Sequence, residues 1–307
     1  FLLTMAKTIL MIKNEYLQYL KKKEIAGSKA IVDKAGKLKS FYLPVSDWLY
    51  SIYKKDHKIK IIGLSGGQGA GKSTITAILK FILKRKYGLN LCIFSIDDFY
   101  KTKAQRIEMS KKKHPLFLTR GVPGTHDIVF INKILKKLKK KNFRTVLIPK
   151  FDKSKDDRAN KKKWQKIKKQ PHIIIFEGWC VGARHQRAKD LRKPLNIIEK
   201  KYDQNLQWRQ SVNKSLKYSY KKLFNKIDKL VYLKVPNFNH ILTWRWHQEQ
   251  KMKLTSKSKK TMSKSQIKEF IMFYERITKH MIKESSKISD LTISLDKNHR
   301  SKKMKFY

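Results

Sequence analysis

A run of glycines that ends in a lysine and two hydroxyl residues carries the strongest chemical signal in the sequence. Residues 66–73 read GGQGAGKS and match G-x-x-x-x-G-K-[ST] at every fixed position. Glycines at this spacing let backbone N–H groups surround phosphate oxygens, the lysine contacts the β- and γ-phosphates, and the first hydroxyl ligates Mg²⁺. The pattern predicts a nucleotide-phosphate site with Lys72 in catalysis and Ser73 on the metal. Its residues are Gly66, Gly67, Gln68, Gly69, Ala70, Gly71, Lys72, Ser73 and Thr74.

Three carboxylates follow apolar runs that read as buried strands. Glu177 ends the run at 172–176, and Asp97 and Asp98 follow the run at 91–96. Because the carboxyl ends of parallel strands meet at one edge of a sheet, these acids are expected beside the phosphates. We predict that Glu177 is linked to Mg²⁺ or orders a water, and that Asp97 accepts a proton from an attacking hydroxyl. Asp98 either holds substrate or caps the next helix.

Polar clusters between the predicted strands indicate what is phosphorylated. They lie at residues 120–127, 149–158 and 184–187, and each contains arginine together with histidine or carboxylates. A glycine loop of this kind occurs in kinases, GTPases, motors and helicases, so other motifs must discriminate. The tetrapeptide NKID at residues 225–228 matches N-K-x-D, but it does not follow the glycine loop at the distance usual for a guanine-reading motif. The clusters, which would converge on one rim of the sheet, favour a small-molecule phosphotransferase.

The elements that must position these residues alternate along the chain. Apolar residues at helical spacing over 8–25 and 43–53 predict a helical N-terminal extension within residues 1–57, ahead of a second unit at 58–307. In that unit, apolar strand-like runs are separated by helix-length segments, which is typical of an α/β fold with a mostly parallel sheet. The runs lie at 59–64, 91–96, 144–148, 172–176, 229–235 and 291–295.

The charge of the chain is extreme but evenly spread. Lysine and arginine total 74 against 23 acidic residues, a formal net charge of +51, and only 12 of the basic residues are arginine. A nucleic-acid surface usually concentrates charge and uses arginine for bidentate contacts. We therefore interpret the charge as a lysine-rich surface and expect no nucleic-acid partner. The alternative is a nucleic-acid-associated protein whose ATP site is regulatory.

Cysteine usage and hydropathy bear on the cellular compartment. Cys92 and Cys180 lie in or beside apolar runs without C-x-x-C spacing, which indicates neither a disulfide framework nor a zinc site. No apolar stretch reaches the roughly 18 residues that a membrane span needs. These features predict a soluble protein of the cytoplasm that does not enter a membrane.

Several longer motifs make the chain resemble a known family. From about Trp48 to Asp296 it is similar to the P-loop type of D-glycerate 3-kinase, within the group that includes uridine kinase, phosphoribulokinase and bacterial pantothenate kinase. The motifs are GLSGGQGAGKST, SIDDFYKT, HPLFLTRGVPGTHD, IPKFDKSKDDR, IIIFEGWCVGAR, WRQSVN, VPNF, WRWHQE and FIMFYERIT. The resemblance implies a P-loop NTPase kinase fold over residues 58–307. Its five parallel strands would have the order 2-3-1-4-5, with helices on both faces and a mobile lid.

The same resemblance implies roles for individual residues. Asp97 matches the aspartate regarded as catalytic base, and Glu177 matches the acid of the F-E-G strand end. Three residues fall in the segment that would face the acceptor: Arg120, His126 and Asp127. Arg245 resembles a lid arginine that meets the transferring phosphate, and Arg184 or Arg187 is the alternative.

Together these features predict a kinase that uses ATP and Mg²⁺ and phosphorylates a hydroxyl of a small anionic substrate. D-glycerate is the expected acceptor, and Arg120 or Arg158 would offer a planar fork to its carboxylate. A uridine or other nucleoside kinase of the same fold is the alternative, with His126, Phe151 and Trp179 as candidate base contacts. The sequence does not determine the oligomeric state.

Overall fold

The computed structural model describes residues 12–21, 36–255 and 262–307. Its strands, in chain order, are β1 (Lys60–Gly66), β2 (Leu91–Ser95), β3 (Val146–Ile148), β4 (Phe151–Asp152), β5 (Asp157–Arg158), β6 (Gln165–Ile167), β7 (Ile173–Gly178), β8 (Lys229–Lys234), β9 (Leu291–Leu295) and β10 (Ser301–Phe306).

The helices are α1 (12–21), α2 (Leu43–Lys54), α3 (Lys72–Tyr87), α4 (Lys103–Lys112), α5 (Ile128–Leu138), α6 (Ala188–Arg192), α7 (Ile197–Tyr202), α8 (Gln207–Ser215), α9 (Lys221–Phe224), α10 (Phe238–Thr255) and α11 (Lys264–Ile288). Two π-helical segments, Leu38–Tyr42 and Leu216–Tyr220, precede α2 and α9. A 3₁₀ turn, Ile96–Phe99, follows β2.

Six strands form the central sheet, in the order β2-β7-β1-β8-β9-β10. The first five are parallel, and β10 pairs antiparallel with β9 at the edge. Numbered within the parallel set, the order is 2-3-1-4-5, so the predicted sheet is confirmed. The sequence analysis did not predict β10, whose residues are mostly lysine and polar.

Alternating side chains of the strands divide the interior into two layers. Ile173 and Ile175 of β7 pack with the helices on one face, including α2 and α3. Ile174 and Phe176 pack on the other face, with α5, α8 and α11. Strands covered on both faces must be apolar at successive positions, which explains the continuous run that predicted β7. The predicted placement of helices on both faces is confirmed.

The run at 144–148 does not join this sheet, contrary to the simple alternation of strands and helices. Its residues Val146–Ile148 form β3, which pairs antiparallel with β6 in a separate two-stranded ladder. Val146 and Ile148 are buried whereas Leu147 is exposed, the alternation of a strand with one covered face. A short apolar run indicates a strand but not its partner.

The N-terminal helices pack on α3. The Tyr19 hydroxyl of α1 donates to the Ala77 carbonyl at 3.2 Å, and the Tyr19 ring stacks on Phe81 at 4.5 Å. Pro44 stands in the first turn of α2, where its fixed φ favours a helix start. The predicted helix over 8–25 is described only at 12–21, and its remaining residues lie outside the described ranges. The division at residue 57 stays a prediction.

Among the described helices, none combines the length and apolar character that crossing a bilayer requires.

Candidate active site

The glycine-rich segment connects the end of β1 to the start of α3, and we call residues 66–74 the phosphate loop. Gly71 has φ +84° immediately before α3, a left-handed conformation that L side chains rarely adopt. Gly69 has φ +77°, and a Cβ there would lie 3.0 Å from Trp244 Cβ of α10. The loop can therefore fold closely under α10 only with glycine at these positions. It leads into the N-terminus of α3, whose dipole favours bound anions.

Lys72 lies across this loop. Its ammonium donates to the carbonyls of Gly66 at 2.8 Å and Gly67 at 3.1 Å. Burial lowers the pKa of Lys72, while the carboxylates of Glu177 and Asp97 act in the opposite direction. Bonds to carbonyls of its own loop hold the cation where it can exchange them for phosphate oxygens.

Ser73 and Glu177 form a pair of oxygen donors beside Lys72. The Ser73 hydroxyl donates to Glu177 Oε1 at 3.2 Å, and Glu177 Oε2 is buried without a hydrogen-bond partner. Burial raises the pKa of Glu177, and the Lys72 ammonium opposes that shift. A hydroxyl and a carboxylate with an orphaned buried oxygen supply the hard ligands that Mg²⁺ prefers. The residues present therefore fit the predicted metal.

Asp97 and Asp98 follow β2 in the 3₁₀ turn but have different surroundings. Asp98 accepts from the Ser95 N–H at 3.4 Å in a capping box and from Lys150 Nζ at 2.9 Å. Of the two roles expected for Asp98, capping is therefore the one that its hydrogen bonds show. Asp97 accepts from the Tyr100 hydroxyl at 2.9 Å, and Lys153 Nζ lies 3.5 Å from its other oxygen.

The charge state of Asp97 follows from these neighbours. Burial alone would raise its pKa, but Lys153 and, to a smaller extent, His126, the Tyr100 hydroxyl and Lys72 bring it below the ordinary value of 3.8. Asp97 is consequently a carboxylate at neutral pH. It lies at the carboxyl end of the sheet, between the phosphate loop and the β4–β5 hairpin.

That hairpin consists of β4 and β5, residues 151–158, and it brings Arg158 and Lys153 to the site. Arg158 Nη2 donates to the Tyr100 carbonyl at 3.3 Å and to Asp127 Oδ2 at 3.4 Å. Arg120 pairs with Asp156 of the hairpin, and its guanidinium lies 5.5 Å from the Phe151 ring centroid. The structure thus brings the 120–127 and 149–158 clusters together, as the sequence analysis expected.

A buried arginine of α4 anchors the hairpin. Arg106 is only 1% exposed and donates to the carbonyls of Lys101, Leu118 and Asp156 and to the Asp156 carboxylate. These bonds use the planar fork of a guanidinium, which a lysine ammonium cannot reproduce. Asp156, held in this way, in turn holds Arg120.

Replacing Arg106 by lysine should therefore destabilise the protein by about 3 kcal/mol, because several buried carbonyls lose their donors. Chemical denaturation monitored by tryptophan fluorescence measures this. Lys111→Ala, on the exposed face of the same helix, is the matched control and should change the free energy of unfolding by less than about 0.5 kcal/mol. Equal stabilities of the two variants would contradict the anchoring role of Arg106.

His126 lies beneath the site and is only 2% exposed. Its ring stacks on Tyr100 at 4.6 Å, and its Nδ1 lies 2.6 Å from the Tyr220 hydroxyl, which accepts from the Gly124 N–H. This burial corrects the expectation of a side chain open to the acceptor: His126 supports Tyr100 from behind. Asp127 is used locally as well, since its Oδ1 accepts from the Phe130 N–H at 3.0 Å and caps α5.

The burial of His126 makes stability depend on pH. Burial lowers its pKa to about 4, against 6.5 for free histidine, although Asp97 acts in the opposite direction. As the pH falls from 6.5 towards 4, the unfolded chain takes up this proton first, so stability is lost in that window. Between pH 7.5 and 5 the loss should be about 2 kcal/mol. Chemical denaturation of wild type and His126→Gln at both pH values isolates the contribution of His126. Equal losses of unfolding free energy in the two proteins would contradict this prediction.

The candidate lid arginines lie in different places. Arg245 is on α10, where its backbone N–H nitrogen is 3.6 Å from the position of a Cβ on Gly69. It pairs with Glu249 at 2.7 Å, and its buried Nη1 has no hydrogen-bond partner. Arg184 instead lines a cavity with Leu230 and Asp290, at the amino ends of β8 and β9. Arg184 therefore lies at the end of the sheet opposite the phosphate loop, and its expected role as a lid arginine is corrected. The reason is that the chain after β7 turns back along the sheet.

Several residues of the site were not singled out from the sequence. Tyr100 and Lys153 contact Asp97, and Lys150 contacts Asp98. Tyr274 of α11 donates to the Arg120 carbonyl at 3.2 Å, and a Cβ on Gly121 would lie only 2.2 Å from its hydroxyl. The sequence signal that could have identified these residues was the motifs that contain them: SIDDFY, IPKFDKSKDDR and FIMFYERIT.

The fold and the loop geometry define a class of protein. A parallel sheet of order 2-3-1-4-5 with a G-x-x-x-x-G-K-S loop between its central strand and a helix is a P-loop kinase fold. The chain belongs to the Phosphoribulokinase / Uridine kinase family, whose model matches residues 61–243. This membership confirms the resemblance drawn from the motifs and identifies an ATP-dependent kinase of the P-loop type.

Individual relatives agree with this assignment. The chain is 36% identical over 222 residues to "Uncharacterized kinase mug58" of Schizosaccharomyces pombe, covering 70% of this chain and 78% of that protein. It is 28% identical over 264 residues to the chloroplastic D-glycerate 3-kinase of Arabidopsis thaliana, covering 80% of this chain and about half, 55%, of that protein.

Among solved structures, the D-glycerate 3-kinase from Cryptococcus neoformans var. grubii superposes with a TM-score of 0.72 at 25% identity. The match covers 92% of this chain and 100% of that one.

Proposed function

We propose that this kinase transfers the γ-phosphoryl group of ATP to a hydroxyl of a small anionic substrate, and that the substrate is D-glycerate. The observation that carries the proposal is the pairing of Asp97 with Lys153 of the β4–β5 hairpin, which also carries Arg158 and pairs with Arg120 through Asp156. A compact acceptor with a carboxylate would match these charges. Two relatives described as D-glycerate 3-kinases support the same substrate class.

The residues divide the work between the two substrates. N–H groups of the phosphate loop and the Lys72 ammonium bind and orient the triphosphate. Mg²⁺, held through Ser73 and Glu177, would neutralise charge on the β- and γ-phosphates. Most of the catalysis would come from such positioning and electrostatics.

Asp97 acts on the acceptor. Its carboxylate accepts a hydrogen bond from the acceptor hydroxyl and takes its proton as the oxygen attacks the γ-phosphorus. The bond from the γ-phosphorus to the β,γ-bridging oxygen breaks, and ADP leaves. Lys153 and the Tyr100 hydroxyl hold Asp97 ionised and oriented for this step.

Arg120 and Arg158 would bind the acceptor carboxylate. Each side chain is about one-fifth exposed, 21% and 20%, and each already has one carboxylate partner. A guanidinium has five N–H donors, so both keep donors for a ligand. A nucleoside is less well matched, because Trp179 is 4% exposed and donates its Nε1–H to the Gly121 carbonyl at 3.2 Å.

Lys153 offers a specific test of this charge argument. Its side chain is 65% exposed and lies near Asp97, so it can also contact a bound anion. Lys153→Gln should raise the KM for D-glycerate by about tenfold, corresponding to one lost charge-assisted contact, with the KM for ATP nearly unchanged. Steady-state kinetics measure both, and Lys155→Gln, an exposed lysine of the same hairpin, is the matched control. Identical KM values for D-glycerate in the two variants would contradict the role of Lys153.

A coupled ADP-release assay tests the proposed substrate. The panel contains D-glycerate, L-glycerate, uridine, cytidine, pantothenate and ribulose 5-phosphate, each with ATP and Mg²⁺, and Lys72→Ala gives the background. Turnover with D-glycerate alone is the expected result. Turnover with a nucleoside, and none with D-glycerate, would keep the kinase chemistry but overturn the acceptor.

A further inference from the structure

A second cavity lies away from the phosphate loop, at the amino ends of β8 and β9. We call it the rear cavity. Its volume is about 490 Å³, within the range of small-ligand sites. Its walls come from the 182–185 segment after β7, from residues 216–227 and from the end of α11. The residues that line it are Gly182, Ala183, Arg184, His185, Leu216, Lys221, Phe224, Asn225, Ile227, Leu230, Ile288 and Asp290.

The lining of the rear cavity has two chemical parts. One part is apolar and includes Leu216, Phe224 and Leu230. The other is cationic, with Arg184 and Lys221 both exposed. An apolar wall in the same cavity as two exposed cations is suited to a molecule that carries both kinds of group.

The cations of this cavity lack the partners that similar residues have elsewhere. Arg187 pairs with Asp190 and Arg276 with Glu199, whereas Arg184 forms no ion pair with any carboxylate in the described ranges. The acid of the cavity, Asp290, is already neutralised, because its oxygens accept from Lys229 Nζ at 2.6 Å and from the Leu230 N–H at 2.8 Å. The charge available to a ligand is therefore positive.

We propose that the rear cavity binds a small organic anion with an apolar body. Its carboxylate or phosphate group pairs with Arg184 and Lys221, and its apolar part packs against Leu216, Phe224 and Leu230. This site is separate from that of ATP and its acceptor. It also gives a function to the 184–187 cluster, which the active site does not use.

The cavity shares a wall with the acceptor side of the active site. Leu216 begins the π-helical segment that ends at Tyr220, and π-helical turns are frequent at functional sites. The Tyr220 hydroxyl bonds to His126 and to the Gly124 N–H at 2.9 Å. An occupant of the rear cavity thus contacts the segment that holds the 120–127 loop, and we extend the proposal to this coupling.

Binding is tested by fluorescence titration with 8-anilinonaphthalene-1-sulfonate, an aromatic anion, in saturating Mg·ADP so that the nucleotide site is blocked. Wild type should bind saturably, and Lys221→Glu should weaken binding by about tenfold through charge reversal. The matched control is Lys222→Glu, the neighbouring exposed lysine that does not line the cavity, which should bind like wild type. Equal affinities in all three proteins would overturn the site.

Competition identifies the anionic group. 1-Naphthoate and 1-naphthyl phosphate are added as displacing ligands, with 1-naphthalenemethanol as the uncharged control. We expect either anion, but not the alcohol, to displace the probe. The anion that displaces the probe at the lower concentration shows whether the site takes carboxylates or phosphates. Equal displacement by the alcohol would overturn the role of the cations.

The coupling is tested by hydrogen exchange. Saturating probe should change the exchange of the Gly124 amide, which bonds to Tyr220, in wild type but not in Lys221→Glu. Unchanged exchange at Gly124 under saturation would overturn the coupling. None of these three measurements depends on the identity of the phosphorylated substrate.

Discussion

Replacing Lys72 by alanine is expected to lower the rate of γ-phosphoryl transfer by about 10³-fold or more. The ammonium is half-buried in the phosphate loop and donates to the carbonyls of Gly66 and Gly67, so alanine removes the cation that is held there for the phosphates. Single-turnover transfer from radiolabelled ATP measures the loss.

The matched control for this variant is Lys80→Ala, an exposed lysine on the same helix. It should retain the wild-type rate. Denaturation midpoints of the two variants should be similar, because the loss in Lys72→Ala is one of catalysis and not of folding. A transfer rate within tenfold of wild type in Lys72→Ala would contradict the role given to the phosphate loop.

The second large effect is expected for Asp97→Asn, which should lower kcat by about 10²- to 10⁴-fold. The amide has nearly the same shape as the carboxylate and can still contact Tyr100, but it cannot take the acceptor proton. Because Asp97 does not belong to the phosphate loop, the affinity for Mg·ATP should change by no more than about threefold. Steady-state kinetics and titration calorimetry separate these two quantities.

Asp56→Asn is the control for the loss of a carboxylate. Asp56 lies on the surface before β1 and pairs with Lys60, so its replacement should leave kcat unchanged. Near-wild-type kcat in Asp97→Asn would remove Asp97 from the role of base. A loss of kcat matched by an equal loss of ATP affinity would indicate a role in nucleotide binding instead.

The sequence predicted those elements of the fold that a local residue pattern is sufficient to define. Residues Ile173–Phe176 form a continuous apolar run because β7 is covered on both faces, and such a run has few alternatives. The edge strand β10 has no such signal, since its lysines are exposed and it is defined mainly by backbone pairing to β9. For the run at 144–148, the strand was predictable but its partner β6 was not, because strand pairing is a tertiary property.

The same distinction applies to the site. The phosphate loop was found at every position because its function imposes a contiguous spacing of residues. Lys153 and Tyr274 approach Asp97 and Arg120 from distant parts of the chain, through a short hairpin and a long helix, and neither element has a local motif for that contact. The position of Arg184 likewise depended on where the chain turns after β7, which composition does not encode.

We propose that the γ-phosphoryl group passes from ATP to the hydroxyl of a small anionic acceptor. The most direct test is to incubate the protein with [γ-³²P]ATP, Mg²⁺ and D-glycerate and to separate the labelled products. We expect label in phosphoglycerate with wild type, and at least about 10²-fold slower labelling with Lys72→Ala or Asp97→Asn. Label found only in inorganic phosphate, with no labelled glycerate, would contradict this proposal.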